Sequence, residues 1–317
     1  MPRVAAIDCG TNSIRLLIAD LTIREDGTSW LRDVHREMRI VRLGQGVDAT
    51  GRLAPEALDR TRAALVDYTA MIVRKGAERV RMVATSATRD ASNRDEFFAM
   101  TREVLGVEAE VITGDEEARL SFTGAVGDLD PDEGPFLVTD VGGGSTELVL
   151  GTWDGVRAEV TAARSVNIGC VRITERCLRS DPPAKDETEQ AARLADEVLA
   201  AAFQAVPVDR ARTWIGVAGT ATTMAAVAKD LPEYDSEVTH HSRLSRDEIE
   251  HTADRLLAMN HDERAAMPVI HPGRVDVIGG GCLIFQVLAE ELGLRAGIGE
   301  LLVSEHDILD GIALSLA

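Results

Sequence analysis

Residues 136–150 read FLVTDVGGGSTELVL. Apolar and β-favouring residues lead to Asp140. Three glycines follow, then Ser145, Thr146 and Glu147, then Leu148, Val149 and Leu150. The pattern predicts strand, tight turn, strand. Gly142, Gly143 and Gly144 carry no Cβ, so the backbone there can approach a ligand closely. Successive backbone N–H groups in such a turn form an anion-binding concavity. Ser145 and Thr146 add hydroxyls. Asp140 and Glu147 offer hard oxygen ligands of the kind Mg²⁺ takes.

The same loop occurs earlier, in VAAIDCGTNSIRLLI at residues 4–18. Asp8 lies 132 residues before Asp140, and Gly10, Ser13 and Leu16 stand at the same offset from Gly142, Ser145 and Leu148. VATSAT (83–88) and VAGTAT (217–222) repeat at an offset of 134. Two matches at nearly one offset predict a duplicated domain, each half bringing a phosphate loop to a shared cleft. Either loop alone reads equally well as an ordinary β-hairpin with a glycine turn. The paired Asp-x-Gly-x-x-Ser spacing separates the readings. No Lys-Ser or Lys-Thr follows the glycines, which excludes a Walker loop, and the glycine run does not spell GxGxxG.

At 317 residues the chain has room for two domains. Aromatics are only 3%, so the cores must be aliphatic, which disfavours a nucleic-acid binder built on base stacking. The net charge of −19 would repel a long polyanion such as duplex DNA, and a polyphosphate substrate would need metal ions and placed arginines. Cys9, Cys170, Cys177 and Cys282 form no CxxC pair, which fits a reducing cytoplasm. No signal peptide precedes Val4 and no apolar run is long enough to span a bilayer, so no membrane partner is expected.

The period pattern predicts strands over 4–23 and 34–43, a helix over 53–76, a strand over 80–85, a helix over 86–106, a strand over 107–113 and a helix over 115–127. The acidic turn 128–135 marks the boundary between domains 1–127 and 128–299, and the segment from about 300 to 317 can pack back on the first. The second half repeats the plan, with strands at 136–141, 146–152 and about 156–166. Helices are expected near Val171, over 188–206, over 220–230 capped by Thr220, and over 245–259 with a capping box from Ser245 to Glu248. Gly279–Gly281 precede a further helix, and either admit a ligand or let that helix pack closely. Arg15, alternating with apolar residues, reads equally as a structural ion pair or a phosphate contact. His240, His241 and His271 show no metal-like spacing and read as loop histidines.

IDCGTNSIRLLI (7–18), ATSATRDASN (84–93), ITGDEEARL (112–120), VTDVGGGSTELV (138–149), NIGCVRITE (167–175) and the Gly219-Thr220 turn together resemble the exopolyphosphatase/guanosine pentaphosphate phosphatase family, nearly end to end. The chain looks like its short, two-domain actinobacterial type. The resemblance implies an α/β fold of duplicated ribonuclease H-like domains, from the actin/sugar kinase/Hsp70 superfamily, with mixed sheets flanked by helices. It implies that Glu117 orients or activates the attacking water, although Asp115, Glu116 and Glu117 in a first helical turn otherwise suit the helix dipole. It implies that Arg89 contacts phosphate, that Asp140 and Glu147 surround Mg²⁺ (or Mn²⁺) with Asp8 facing them, and that Gly10, Thr11, Asn12 and Ser13 match one phosphate loop while Gly142, Gly143, Gly144, Ser145 and Thr146 match the other. It implies a homodimer, whose interface longer members build partly from C-terminal domains. The expected activity is exopolyphosphatase: hydrolysis of the terminal phosphoanhydride of polyphosphate. Hydrolysis of guanosine pentaphosphate (pppGpp), or sensing either ligand without turnover, is the alternative.

Overall fold

The computed structural model describes residues 1–24 and 27–317. The chain divides into two compact units. Met1–Gly127, Asp154–Ala158 and Asp307–Ala317 make the first, and Asp128–Trp153 with Glu159–His306 make the second.

The first unit is built on β1 (Arg3–Cys9), β2 (Ser13–Ile23), β3 (Ser29–Ile40), β4 (Arg79–Ala84) and β5 (Glu110–Val111), in the order β3-β2-β1-β4-β5. β1 to β3 are antiparallel, whereas β4 runs parallel to β1 and β5 parallel to β4. Side chains alternate across a strand, so β1 feeds two cores. Ala5, Ile7 and Cys9 join Leu65, Tyr68 and Phe97 beneath the helices Pro55–Lys75 and Arg94–Leu105. Val4 and Ala6 face the other way, against Ile308, Leu309 and Ile312 of the helix Ile308–Leu314. A central strand covered on both faces needs a nearly continuous apolar run, which β1 has. β3, at the edge, is studded with charge instead, which blunts it against pairing with other chains.

The second unit carries β6 (Phe136–Val141), β7 (Thr146–Trp153), β8 (Ala158–Val166), β9 (Thr213–Val217), β10 (Arg243–Ser245) and β11 (Glu300–Val303), ordered β10-β11-β9-β6-β7-β8. From the other edge, β8-β7-β6-β9-β11 repeats the order of the first sheet, with β10 added. β6 and β7 form the same antiparallel hairpin as β1 and β2, and β9 runs parallel to β6 as β4 does to β1. The two glycine loops and the VATSAT and VAGTAT stretches therefore sit at equivalent places of one repeated α/β plan. The core is aliphatic, with Ala191, Ala195, Leu199 and Ala202 lining one helix, and Trp214 anchored through Nε1 to Thr139 Oγ1 at 2.9 Å.

Several elements differ from the sequence pattern. The expected helix 86–106 breaks into Ser86–Asp90 and Arg94–Leu105. Ser92 donates to the Gly51 carbonyl, and the Asn93 amide pairs with both backbone groups of Leu53, so tertiary bonds outcompete helix continuation. The strand expected over 107–113 shrinks to two residues. Thr220 is not a cap. Its helix starts at Ala218, and the Thr220 hydroxyl donates to the Val141 carbonyl at 2.9 Å. The capping box at Ser245 is present as read. A Cβ on Gly280 would overlap Thr174 and Ile173, and one on Gly281 would overlap Thr220, so the glycine cluster serves close helix packing.

The helices Gly114–Val126 and Ile308–Leu314 cross at backbone contact. A Cβ on Gly124 would overlap the Asp307 carbonyl, and one on Gly311 the Leu120 carbonyl. Gly124→Val should therefore destabilise the first unit by about 1–3 kcal/mol or more, since backbone atoms cannot rotate away. Gly127→Ala, whose Cβ meets nothing closer than 3.9 Å, is the control. Calorimetry of both variants decides; equal melting temperatures would refute the crossing as described.

Candidate active site

In the first unit Asp8 ends β1, directly opposite Arg15 on β2. Gly10 closes the turn by donating to the Ser13 carbonyl at 2.9 Å. The loop is bolted from outside: the Asn12 carbonyl accepts from Val41 and Arg42 (3.1 and 2.8 Å), and that of Thr11 accepts from Gly44 (2.8 Å). The Thr11 and Ser86 hydroxyls share a hydrogen bond of 2.9 Å. Ser86 opens the short helix that carries Arg89. Arg89 Nη1 donates to the Ile112 carbonyl at 3.1 Å and to Glu117 Oε2 at 3.3 Å. Thr113 caps the helix Gly114–Val126 by accepting from the Glu116 N–H, which sets Glu117 in the first turn. Glu117 is only 8% exposed, whereas Glu116 faces solvent and pairs with Arg81 at 2.9 Å. The structure thus brings Glu117 and Arg89 together, and Glu117 is not at the open helix start that dipole stabilisation alone would explain.

Arg15 is a structural ion pair. Its Nε and Nη2 donate to Asp8 Oδ2 at 3.0 and 2.7 Å, and its Nη1 donates to Asp307 Oδ2. Burial pushes the Asp8 carboxyl above its ordinary value, with the Arg15 guanidinium opposing. Burial also works against the charge on Asp307, but Arg15, the Leu309 N–H and Arg36 outweigh it and hold that carboxyl low. Asp8 Oδ1 is buried without a hydrogen-bond partner.

In the second unit Asp140 ends β6 and stands opposite Glu147 on β7. Gly142 closes the turn on the Ser145 carbonyl at 3.0 Å, the counterpart of the Gly10–Ser13 bond. The other side of the loop is fixed by the helix Cys170–Cys177. Cys170 N–H donates to the Gly142 carbonyl, Val171 and Arg172 N–H to that of Gly143, and Arg172 Nε to that of Gly144. With those carbonyls turned to the helix, the N–H groups of Gly143 and Gly144 donate to no backbone carbonyl among the described residues. Gly169 is obligatory, because a Cβ there would overlap Gly142 and Gly143. Thr146 is a correction to the expected hydroxyl donors: its Oγ1 donates to the Ile168 carbonyl at 2.6 Å, so it holds the loop and spends no proton on a ligand. Ser145 is buried in the turn.

The carboxylates fit a hard divalent ion. Asp140 and Glu147 are 7% and 1% exposed and occupy directly opposed strand positions, where like charges repel. Ser165 donates to Glu147 Oε1 at 2.6 Å, orienting it. Two carboxylates suit Mg²⁺, a hard ion that takes oxygen ligands. The orphaned Asp8 Oδ1 is a third acceptor seeking a partner, in the first unit.

Two arginines escaped the sequence reading. Arg172 grips the glycine loop. Arg274 donates through Nη1 to Thr223 Oγ1 at 3.1 Å and lies so close over Gly219 that any Cβ there would overlap it. Thr223 is the repeat counterpart of Arg89, so the second unit acquires an arginine at that place from a distant segment. Only the repeat alignment, which left that place without a cation, hinted at it.

The Ppx/GppA phosphatase family profile matches residues 22–316. This chain belongs to that family. Exopolyphosphatase 2 of Mycobacterium tuberculosis is 58% identical over 322 residues, spanning 100% of this chain and 99% of that protein. A crystal structure of an exopolyphosphatase-like protein is similar at 45% identity and a TM-score of 0.93, covering 100% and 98% of the two chains. The Aquifex aeolicus family member follows at 32% and 0.80, covering 99% and 97%. Membership makes the chain a phosphatase-family enzyme, and its two mixed sheets repeat one α/β plan.

Within this Ppx/GppA chain the Arg15 ion pair should be a stability determinant. Arg15→Ala leaves Asp8 buried without its cation, a loss of about 3–5 kcal/mol. Burial then raises the folded-state Asp8 carboxyl further above its unfolded value. The folded chain would bind more protons, so the variant should regain stability as pH falls from 7 toward 5. Chemical denaturation across that range checks it. A loss that is small, or that deepens on acidification relative to wild type, would refute the assignment.

Proposed function

We propose that this chain is an exopolyphosphatase, removing terminal orthophosphate from inorganic polyphosphate. The full-length 58% identity to Exopolyphosphatase 2 carries the reading, and the built loops support it. The N–H groups within the glycine turns would bind phosphoryl oxygens, those of Thr11 and Asn12 in one unit and of Gly143 and Gly144 in the other. Asp140 and Glu147 would hold Mg²⁺, or Mn²⁺ in its place. Such an ion supplies positive charge against the phosphate oxygens when bound.

Glu117 takes a proton from the attacking water. The water oxygen bonds to the terminal phosphorus, the bridging P–O bond breaks in line, and the shortened chain leaves with the electron pair. Arg89 spends Nη1 on Ile112 and Glu117, which leaves Nε and Nη2 for a phosphoryl oxygen. We also read the protein as a cytoplasmic homodimer. Its cysteines are free and buried, and no helix among the described residues is long and apolar enough to cross a membrane.

Two measurements test the reading. Phosphate release from polyphosphate should stop in excess chelator and return with Mg²⁺ or Mn²⁺; activity that persists in chelator refutes the metal. Glu117→Gln should lose turnover by roughly 10²–10⁴, the usual worth of general-base assistance, while polyphosphate binding survives. Glu116→Gln, which gives up only a half-buried pairing with Arg81, should be near wild type. If Glu116→Gln is the variant that fails, or Glu117→Gln turns over normally, the catalytic assignment falls. Faster phosphate release from pppGpp than from polyphosphate would overturn the substrate.

A further inference from the structure

Four side chains of the second unit, none used by the proposed reaction, meet at one carboxylate oxygen. Asp128 Oδ2 lies 2.9 Å from His240 Nε2, 3.3 Å from His306 Nδ1 and 3.4 Å from His241 Nε2. The donor atoms of Asp128, His240 and His306 all fall within 4.8 Å of one another. The rings of His240 and His241 stack with centroids 3.8 Å apart, and those of His240 and His306 are 4.8 Å apart.

The arrangement is fixed by its surroundings rather than by the histidines themselves. His241 adopts φ +58°, a left-handed conformation that a non-glycine residue takes only where neighbours impose it. Its N–H donates to the Val303 carbonyl at 2.7 Å. The Glu305 carboxylate accepts from Tyr234 at 2.6 Å and from Thr239, tying the 234–241 segment to the one that carries His306. Asp128 and His306 are also the residues at which the chain first enters and last leaves this unit.

Charge pairing alone does not account for the cluster. Among the described residues no lysine or arginine pairs with Asp128, and one imidazole would satisfy it; here three converge. A metal with bonds of about 2.0–2.2 Å in tetrahedral geometry sets its ligand atoms roughly 3.3–3.6 Å apart. The separations of 3.3 and 3.4 Å fall in that interval and 2.9 Å just below it. One carboxylate and several imidazoles suit zinc-class ions, whereas Mg²⁺ prefers oxygen alone.

We propose that Asp128, His240 and His306 bind a divalent transition-metal ion at a site that shares no residue with the phosphate loops. The ion takes the Nε2 lone pair of His240. In the free protein the Glu305 N–H donates to His240 Nδ1 at 3.2 Å, so Nε2 carries the proton. Loading moves that proton to Nδ1 and gives up this one long hydrogen bond. Protons compete with the ion for the imidazole lone pairs, so binding weakens as pH falls.

Chelator-stripped full-length protein, titrated with Co²⁺ in millimolar Mg²⁺, tests the site through the visible d–d absorption of bound Co²⁺. One equivalent should give bands that Zn²⁺ abolishes and further Mg²⁺ does not. The bands should vanish in His240→Ala/His306→Ala and persist in Glu147→Gln. His306→Gln, the milder change, is measured alongside in case the double variant fails to fold by circular dichroism, and it should weaken Co²⁺ binding at least tenfold. Absence of bands at saturating Co²⁺, bands that survive in a folded histidine variant, or bands lost only in Glu147→Gln would each overturn the proposal.

Discussion

A carboxylate at the end of a buried central strand must find countercharge, because an unpaired charge in low dielectric costs several kcal/mol. Both units place one there, Asp8 on β1 and Asp140 on β6, each facing the strand that returns from its glycine turn. They resolve it in opposite ways. Across from Asp8 stands Arg15, which also neutralises Asp307 and so ties the final helix to the sheet. Across from Asp140 stands Glu147, a second carboxylate. One hairpin closes an ion pair across its strands, while the other sets two carboxylates opposite each other. The duplication made two copies of a backbone, and a single residue opposite the strand end divided their chemistry.

That backbone is rigid where it has to be. In each loop a glycine N–H closes the turn on a serine carbonyl. In the first the carbonyls of Thr11 and Asn12 are held by residues 41–44; in the second those of Gly142, Gly143 and Gly144 are held by the start of the Cys170–Cys177 helix and by Arg172. Fixing the carbonyls on one side leaves N–H groups of the glycine turn for an anion on the other. Such donors cost no reorganisation when a phosphate arrives, which is the form of electrostatic help that phosphoryl transfer uses most. In a chain of net charge −19 the attraction cannot come from the overall field, so it has to be local.

The duplicated plan was legible because its carriers are local: Asp-x-Gly-x-x-Ser at one offset, VATSAT and VAGTAT at another. The Ser245 capping box was equally legible, since cap and partner lie three residues apart. What escaped depends on partners distant in sequence. The helix break after Asp90 follows from Asn93 binding Leu53, forty residues away. Thr220 looked like a cap by residue type, but the positive φ of Ala218 lets the helix start earlier and turns the hydroxyl onto Val141. The burial of Glu117 beside Arg89 could not be read from a run of three acids. The histidine cluster joins residues 128, 240, 241 and 306, and no spacing rule spans such separations.

Glu117 shows how much this burial changes the argument. At an exposed first turn three acids are interchangeable, each favourable with the helix dipole by a few tenths of a kcal/mol. Here the first turn is divided: Glu116 points outward to Arg81, and Glu117 turns inward, within 3.3 Å of the Arg89 guanidinium. The hydrogen bond from Arg89 Nη1 to this carboxylate is a weak tether at that distance. A phosphoryl group that draws the Arg89 guanidinium toward itself would loosen the tether and make the carboxylate a better proton acceptor. In the proposed reaction Arg89 and Glu117 would then act as a coupled pair, the first binding phosphate and the second serving as base.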